Sequence, residues 1–266
     1  MKKILFSAVT ALTLLSCSQN DNNSGSTLSK EIVTGYYQGE ITNKTVADFS
    51  DGKLVKVSDY DPSGELIYYY TNTFNADDLL EYSFIYDDGN NQIGVSKYYY
   101  DNLGRIIKSE FDDNGTFYNR EITYNEDGTA TNIQSNGAVT TYYINEDNLV
   151  YKEVQGNYTT EVVYDGFNPV SIIINGLENT FSYYDTPSYS NIKKNLFGSY
   201  RANNVLADGP LDACAQDYIT KYPYKISQYG EENVRHEYVF NGNGLPVKRS
   251  SYYYGELEVI TEYIYQ

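Results

Sequence analysis

The sequence predicts an all-β protein: an antiparallel up-and-down meander of about 14–16 strands with a short helical insert. Three observations support this fold class. A degenerate turn motif recurs along most of the chain, and turn signals follow one another at intervals of roughly 9 to 14 residues. No interval in this series is long enough for a crossover helix, so consecutive strands must be antiparallel neighbours. The 32 tyrosines suit a sheet that is wet on one or both faces, because each ring ends in a polar tip.

The clearest copy of the motif is Tyr100-Asp101-Asn102-Leu103-Gly104-Arg105-Ile106. Further copies begin at Tyr60, Phe111, Tyr124 and Phe240, each with Asp or Asn after the aromatic residue and Gly at the fourth turn position. The Asp or Asn side chain accepts hydrogen bonds from backbone N–H groups, and Gly takes a positive φ at little steric cost. The motif therefore predicts a type I turn closed by a left-handed Gly, in a hairpin with a G1 bulge.

Tighter two-residue turns lie between these copies. Asp51-Gly52, Asn136-Gly137 and Asn175-Gly176 are strong signals for short hairpins, and Gly156-Asn157 is a weaker one. Together with the motif copies, these turns predict about 12 strands up to residue 184 and three or four more after residue 223.

The turn rhythm stops in an insert that spans residues 185–222. Residues 191–196 and 211–221 have helical character, and Pro210 precedes the second segment. Leu211, Ala215 and Tyr218 recur on one helical face. We expect the insert to pack on the sheet or to close one end of it.

The sheet is expected to be curled, as a barrel-like or half-open soluble sheet. Eight strands already give an interior that side chains just fill, so more than twelve must enclose a cavity, flatten or be plugged. A membrane-spanning strand needs one wholly apolar face of about 9 to 11 residues. Between Thr116 and Tyr124, both faces carry a charge, Arg120 on one and Glu121 on the other. This alternation argues against a membrane barrel.

The N-terminus has the features of a lipoprotein signal. Lys2 and Lys3 precede an apolar stretch too short to span a bilayer, and the stretch ends in Leu14-Leu15-Ser16-Cys17. This segment resembles a bacterial lipobox, which implies cleavage after residue 16 and lipidation of Cys17. Residues 17–30 would then be a flexible tether, and residues 31–266 a single domain. Ser18 after the Cys favours the outer membrane, on its periplasmic or cell-surface face.

Removal of the signal would leave 17 basic side chains against 36 acidic ones, a formal net charge of −19. Such a chain repels nucleic acid and anionic headgroups, so we expect no nucleic-acid partner and no membrane contact besides the lipid anchor. With Cys17 lipidated, Cys214 would be the one remaining thiol, which excludes an intramolecular disulfide.

Residues 100–106 resemble the YD repeat of the Rhs and teneurin families, which build β-cocoons from far longer arrays. The chain as a whole resembles a group of uncharacterised lipoproteins of gut Bacteroidetes, described as a domain of unknown function with a porin-like fold. Segments Tyr222-Pro223-Tyr224-Lys225-Ile226 and Tyr238-Val239-Phe240 through Gly244-Leu245-Pro246 carry this second resemblance. It implies barrel-like curvature and supplies no catalytic residues.

Residues for catalysis are scarce. His236 is the only histidine and lies on a predicted strand, where a structural role is the usual one. No His–Cys cluster indicates zinc, and no Gly-rich phosphate loop precedes a helix. The acidic pairs fall at predicted turns: Asp77-Asp78, Asp87-Asp88, Asp112-Asp113 and Glu126-Asp127. They could hold Ca²⁺ or hydrolyse glycosides, but turn formation and solubility explain them as well.

The tyrosines are the remaining candidates for binding. Three triplets end strands, and alternation is expected to place the outer two of each on one face: Tyr68 and Tyr70, Tyr98 and Tyr100, Tyr252 and Tyr254. They could stabilise the sheet as cross-strand ladders or form an aromatic platform for a glycan or a peptide. We therefore expect a non-catalytic, outer-membrane-anchored binding module without a cofactor. A structural or adhesive surface protein is the alternative, and an envelope glycoside hydrolase is the least favoured function.

Overall fold

A computed structural model describes residues 27–187, 202, 203, 206, 221–228 and 231–266. The predicted signal peptide, Cys17, Cys214 and the helical segment 191–196 lie outside the described residues. So does the segment 211–221, apart from its last residue.

The described residues form 18 strands in one sheet. The first nine are β1 (Leu28–Tyr37), β2 (Glu40–Ser50), β3 (Lys53–Tyr60), β4 (Leu66–Phe74), β5 (Leu80–Asp87), β6 (Gln92–Tyr100), β7 (Ile106–Asp113), β8 (Thr116–Tyr124) and β9 (Thr129–Gln134). The second nine are β10 (Val139–Ile144), β11 (Val150–Gln155), β12 (Tyr158–Asp165), β13 (Asn168–Ile174), β14 (Leu177–Pro187), β15 (Lys221–Gln228), β16 (Glu231–Phe240), β17 (Pro246–Tyr253) and β18 (Glu256–Tyr265).

The sheet closes into a barrel. Each strand pairs antiparallel with the next, and β1 pairs with both β2 and β18. Backbone hydrogen bonds of 3.0 Å between Thr27 and Gln266 complete the seam. The all-β meander is confirmed, and closure decides between the barrel and the half-open sheet.

The 18 strands exceed the predicted number because the first hairpin carries a weak signal. Its turn is Gln38-Gly39, with Gln38 at φ +52°, an uncommon residue for this conformation. The strand β1 begins at Leu28 and so includes residues that the sequence assigned to the tether. Likewise β14 continues to Pro187 and β15 begins at Lys221, which narrows the insert.

The barrel has two unlike ends. We call one the insert end, because it holds Thr27 and Gln266, the end of β14 and the start of β15 that flank the insert, and the turns after the other even-numbered strands. The other, the mouth end, holds the turns after the odd-numbered strands, which are two to five residues long. Five of the motif-like turns lie at the insert end, between β4–β5, β6–β7, β8–β9, β10–β11 and β16–β17.

The motif turns have the predicted chemistry. Asp101 Oδ1 accepts hydrogen bonds from the backbone N–H groups of Leu103 (2.9 Å) and Arg105 (3.0 Å). Gly104 has φ +75° and donates its N–H to the Asp101 carbonyl. Four other turns have the same pair of side-chain acceptor bonds, made by Asp61, Asn75, Asn145 and Asn241.

Two of the predicted copies lie at the mouth end, and one of them forms a different turn. Asp61 has the motif geometry there. The copy at residues 111–117 instead places Asn114 (φ +48°) and Gly115 (φ +86°) in a two-residue turn, since β7 continues to Asp113. Positive φ at both central residues is the type I′ geometry, which matches strand twist without a bulge.

The aromatic residue of the motif ties neighbouring hairpins together at the insert end. Tyr124 Oη, at the end of β8, donates to the carbonyl of Ile106 at the start of β7 (2.9 Å). Four other strand-end tyrosines make the equivalent bond to the preceding odd-numbered strand: Tyr100, Tyr164, Tyr183 and Tyr265. We call these five residues the tyrosine girdle.

The main apolar cluster lies on the inner face at the same end. It joins buried residues of five neighbouring strands and of β5 to two helical residues of the insert, namely Leu80, Ile106, Ile122, Ala130, Tyr142, Val150, Ala202 and Leu206. Between them, the Asn203 side chain accepts from the Ile106 N–H and donates to the Gly104 carbonyl, both at 2.8 Å. The insert thus packs on the barrel through these residues, as predicted.

Replacing Gly104 by Ala should lower the free energy of unfolding by about 1 kcal/mol, because a Cβ is unfavourable at its positive φ. Gly242→Ala is the matched control. Gly242 is in the β16–β17 turn, lacks a positive φ, and has open space where its Cβ would be. Urea denaturation should show no loss for the control; equal losses would contradict the turn mechanism.

Tyr124→Phe should also cost about 1 kcal/mol, since it leaves the Ile106 carbonyl without its girdle hydrogen bond. Tyr143→Phe removes a hydroxyl from the outer face, and should change stability by less than about 0.5 kcal/mol. Thermal denaturation of the three proteins compares them. If Tyr124→Phe is as stable as the native chain, the girdle is not a stabilising element.

Candidate ligand site in the barrel interior

The interior of the barrel changes character along its axis. On β6 to β12, inner positions near the insert end are apolar or belong to the tyrosine girdle. Towards the mouth end, the same strands place polar side chains inward: Ser96, Ser109, Arg120, Asn132, Gln134, Thr140, Glu153 and Thr160. Eighteen strands enclose more space than side chains can fill. The apolar layer, together with Ala202 and Leu206, lies in the interior at one end, so a ligand would enter from the mouth.

A cavity of about 280 Å³ lies in this polar half, against β6 to β9. Its aromatic wall is made by Tyr98, Phe111 and Tyr118, and the last two stack with ring centroids 6.3 Å apart at 25°. Arg120 and Gln134, which are cross-strand partners, line the polar side of the cavity. The cavity therefore combines flat aromatic faces with planar hydrogen-bonding groups.

Next to this cavity is a row of buried polar side chains, which we call the polar row: Asn132, Tyr142, Glu153 and Thr160. They come from β9, β10, β11 and β12 and share the inner face. Tyr142 is opposite Glu153, and Glu153 is opposite Thr160. Asn132 is two positions from Gln134 on the same strand, so the row continues the polar wall of the cavity.

The polar row is only partly satisfied within the protein, where the Asn132 and Thr140 side chains interact with the Tyr142 hydroxyl. Both amide atoms of Asn132, the Oε2 of Glu153 and the Oγ1 of Thr160 are buried without a hydrogen-bond partner. The three residues are exposed by only 1%, 8% and 1%. Each such atom costs about 1–3 kcal/mol. Burial raises the pKa of the Glu153 carboxyl, and it also raises the pKa of the Tyr142 hydroxyl.

The opposite wall carries a second polar group, around Arg249 on β17. Arg249 Nη2 donates to Thr261 Oγ1 (3.1 Å), and its charge interacts with Glu31, Tyr238 and Tyr263. Burial raises the pKa of Tyr238 and of Tyr263. Thr261 and Glu31 are buried, and Arg249 Nε is itself buried without a hydrogen-bond partner.

The candidate tyrosines do not form one platform. Tyr98 lines the cavity, and Tyr100 belongs to the girdle. Tyr68 and Tyr70 share the inner face of β4, with Tyr68 near the mouth and 40% exposed. The third triplet departs from the predicted alternation. The outer-face Tyr252 packs against the Arg235 guanidinium (4.7 Å), whereas Tyr254 occupies the turn at φ +47°.

The acidic pairs do not converge. In Asp87 and Asp127 the carboxylate accepts hydrogen bonds within its own turn, and these bonds lower both pKa values. Across the described part of the chain, no group of three or more His, Cys, Asp and Glu side chains is placed to hold a metal ion. This geometry therefore does not identify a calcium site, and calcium binding stays a prediction.

His236 is on the inner face of β16, away from the cavity. Its Nδ1 is 2.9 Å from Ser251 Oγ. Burial, aided by the charge of Arg249, lowers the pKa of His236 to about 4, so the ring is neutral at pH 7. In the described residues, no carboxylate hydrogen-bonds to the His236 ring. Without such a group to orient it, His236 is not arranged as a general base.

The outer face of the barrel is charged. Ion pairs link neighbouring outer positions, including Lys30–Asp48 (3.0 Å), Lys108–Glu110 (2.7 Å) and Lys152–Glu161 (2.7 Å). A lysine or arginine facing lipid at the bilayer midplane costs about 2–4 kcal/mol. An outer face with these charges is suited to water. Within the described residues, no helix is long and apolar enough to cross a membrane.

Comparison with known proteins finds similar solved structures at low sequence identity. A porin-like protein from Bacteroides uniformis is 13% identical, with 90% of this chain and 98% of that one covered and a TM-score of 0.39. A porin-like protein from Bacteroides vulgatus is 12% identical, with 91% and 99% covered and a TM-score of 0.39. The Tc holotoxin pore of Photorhabdus luminescens is 14% identical over 84% of this chain and 11% of that one, with a TM-score of 0.30.

No protein-family model and no curated protein matches the chain. Its assignment as a closed 18-stranded barrel rests on its own strand pairing.

Proposed function

We propose that the protein is a non-catalytic binding module that takes a small ligand into the polar half of its barrel. The cavity between the aromatic wall and Arg120 and Gln134 carries this proposal. Its volume is near the lower limit of small-molecule pockets. In the part of the chain that the structure describes, no paired carboxylates or nucleophile–base pair line it, which favours binding over chemistry.

The module would be held at the outer membrane by a lipid on Cys17. The charged outer face supports a barrel in water that needs a separate anchor. Because β1 begins at the insert end, a tether from Cys17 would attach there. The mouth would then lie at the far end of the barrel from the point of attachment.

A structural or adhesive role is the second candidate, favoured by exposed aromatic residues at the mouth end. Tyr37 and Phe117, beside tight turns, are 64% and 56% exposed, and Tyr254, within its turn, is 63% exposed. Adhesion through these exposed aromatic residues would not require an occupied cavity. A substitution in the cavity should therefore impair ligand binding but not adhesion.

A tryptophan placed in the cavity should report occupancy, because the chain has no native Trp. Phe111→Trp would replace part of the aromatic wall, and Tyr143→Trp would put the reporter on the outer face. We would titrate both variants with maltotriose, trilysine, trigalacturonate, triglycine and laurate. At least one probe should shift the emission of the Phe111→Trp variant saturably and leave that of Tyr143→Trp unchanged. Silence of the Phe111→Trp variant towards all five would contradict a ligand cavity.

Cys17→Ala should release the protein from the membrane fraction and abolish metabolic labelling with palmitate. Cys214→Ala, which changes the other thiol, should leave both unchanged. Fractionation and labelling of the two variants in the native host measure this. Retention of Cys17→Ala in the membrane with unchanged processing would refute lipid anchoring.

A further inference from the structure

We infer that the mouth end carries a docking surface for a basic segment of another protein, rich in Arg and Lys, with Tyr37, Tyr253 and Tyr254 at its centre. We call these three residues the seam patch, because they lie on the hairpins on either side of the β1–β18 seam. The cavity lies on β6 to β9, on the other side of the barrel by strand order. The docking surface therefore goes beyond the proposed ligand site and does not depend on it.

Two neighbouring hairpins bring the aromatic residues of the seam patch to the same part of the mouth. Gly35 of β1 is opposite Val259 of β18, so the turns that follow Tyr37 and Tyr253 end adjacent strands. Tyr37 and Tyr254 are the two most exposed aromatic residues of the described chain. The Tyr253 and Tyr254 rings contact edge to face, with centroids 4.6 Å apart at 76°. Exposed tyrosines are typical of binding surfaces, since their rings bury a large area at low entropic cost.

The backbone at Tyr254 is unfavourable for a tyrosine. Tyr254 and Gly255 have φ +47° and +86°, so both central residues of this two-residue turn are at positive φ, as in type I′ turns. The first position of such a turn favours Asn, Asp or Gly, and Asn114 and Asn175 occupy it in two other mouth-end turns. A bulky side chain is a strained exception at positive φ. The chain thus carries a costly residue that places an exposed ring at the tip of the hairpin, as is common at functional sites.

The charges around the seam patch select a cationic partner. Glu40 and Glu256 follow its two turns directly, Glu231 begins the neighbouring strand β16, and all three are exposed. Tyr253, with a smaller contribution from Glu231, raises the pKa of the Tyr254 hydroxyl, which shows that this carboxylate is close to the patch. The two turns and the two strand residues on either side of each contain neither Lys nor Arg. Complementary charge would attract a basic partner and fix its orientation.

The aromatic rings of the patch also lack the cations that cover other rings of the barrel. Lys56 Nζ lies 4.4 Å from the centroid of the Tyr69 ring, and the Arg235 guanidinium lies 4.7 Å from that of Tyr252. Within the described residues, no Lys or Arg of the chain lies over a ring of the seam patch in this way. A partner's Arg or Lys can therefore stack on these rings while its charge faces the carboxylates.

Other occupants fit this surface less well. A two-fold dimer joins identical patches, so it would bring Glu40 and Glu256 of one copy against the same carboxylates of the other. An anionic lipid surface would be repelled by these charges. A neutral ligand would gain no attraction from them. A basic protein segment uses both the rings and the carboxylates.

Fluorescence anisotropy of fluorescein-labelled hexa-arginine, titrated with the full chain, tests the surface. Hexa-arginine should bind, whereas labelled hexaglutamate should not. The affinity for hexa-arginine should fall about tenfold in Tyr37→Ala and in Tyr254→Asn, and stay within about twofold in Tyr151→Ala. Tyr151 is the matched control, because it is an exposed tyrosine near the insert end.

A second pair of variants separates the patch from the overall negative charge of the chain. The double variant Glu40→Gln/Glu256→Gln should weaken hexa-arginine binding about tenfold. Glu126→Gln/Glu146→Gln removes the same charge from exposed turns at the insert end, and should change the affinity by less than about twofold. Equal losses in the two double variants would assign the binding to net charge and overturn the inference.

Tyr254→Asn also distinguishes a binding role from a structural one. Asn tolerates the positive φ of this position better than Tyr, so the thermal midpoint should stay unchanged or rise by about 2 °C. A tyrosine kept for binding should therefore lose affinity without losing stability. A fall in the midpoint with unchanged affinity would give Tyr254 a structural role and contradict the docking surface.

The two proposals fail separately. The Phe111→Trp variant should bind hexa-arginine like the native chain, since Phe111 lies in the cavity. If small probes shift its emission but hexa-arginine does not bind the native chain, the cavity function stands and the docking surface is wrong. If hexa-arginine binds through the patch and no small probe affects the emission, the docking surface stands and the cavity function fails. A dimer in sedimentation that Tyr254→Asn abolishes would replace the basic partner by a second copy of the chain.

Discussion

The pairing of β1 with β18 is the constraint on which the rest of this structure depends. Val33 is paired with Thr45 of β2 on one side and with Thr261 of β18 on the other. An open sheet would expose two strand edges and let both faces meet the same solvent. In a closed barrel, the alternation of side chains along each strand instead places one set in the interior and the other set on the outer face. Lys30 and Asp48 form an ion pair outside, while Thr45 and Thr261 belong to the interior.

The repeated motif fixes the turn geometry that a closed barrel requires. Turns at the insert end must stay in register around the whole circumference, and every element of the motif contributes. Asp101 satisfies backbone N–H groups, Gly104 permits the bulge, and the strand-end Tyr124 reaches the preceding hairpin. Beside the bulge, the Ile106 N–H donates a hydrogen bond to the Asn203 side chain. The motif therefore forms most of the described turns at the insert end, and Asp61 provides one such turn at the mouth end.

The sequence allowed the turn mechanism and the strand order to be predicted, because Asp101 and Gly104 act through neighbours a few residues away. The hairpin at Gln38 was missed because Gln is not a residue that favours positive φ. The turn type predicted for the copy beginning at Phe111 was wrong, because its sequence also fits a two-residue turn at Asn114-Gly115. Asn132, Glu153 and Thr160 carry no local signal. Each is one polar residue on a separate strand, and only strand register shows that Glu153 lies between Tyr142 and Thr160.

The polar row departs from what stability alone would favour, as do the buried Asn72 Oδ1 and Arg249 Nε, which also lack hydrogen-bond partners. The same barrel fills its other end with apolar side chains and with Leu206, so the sequence has a means of filling space at little cost. An apolar residue at Asn132 would extend that packing and remove two buried atoms that lack partners. Sites that break a local rule without a structural gain are commonly functional ones. On the function proposed above, binding rather than packing would offset this cost.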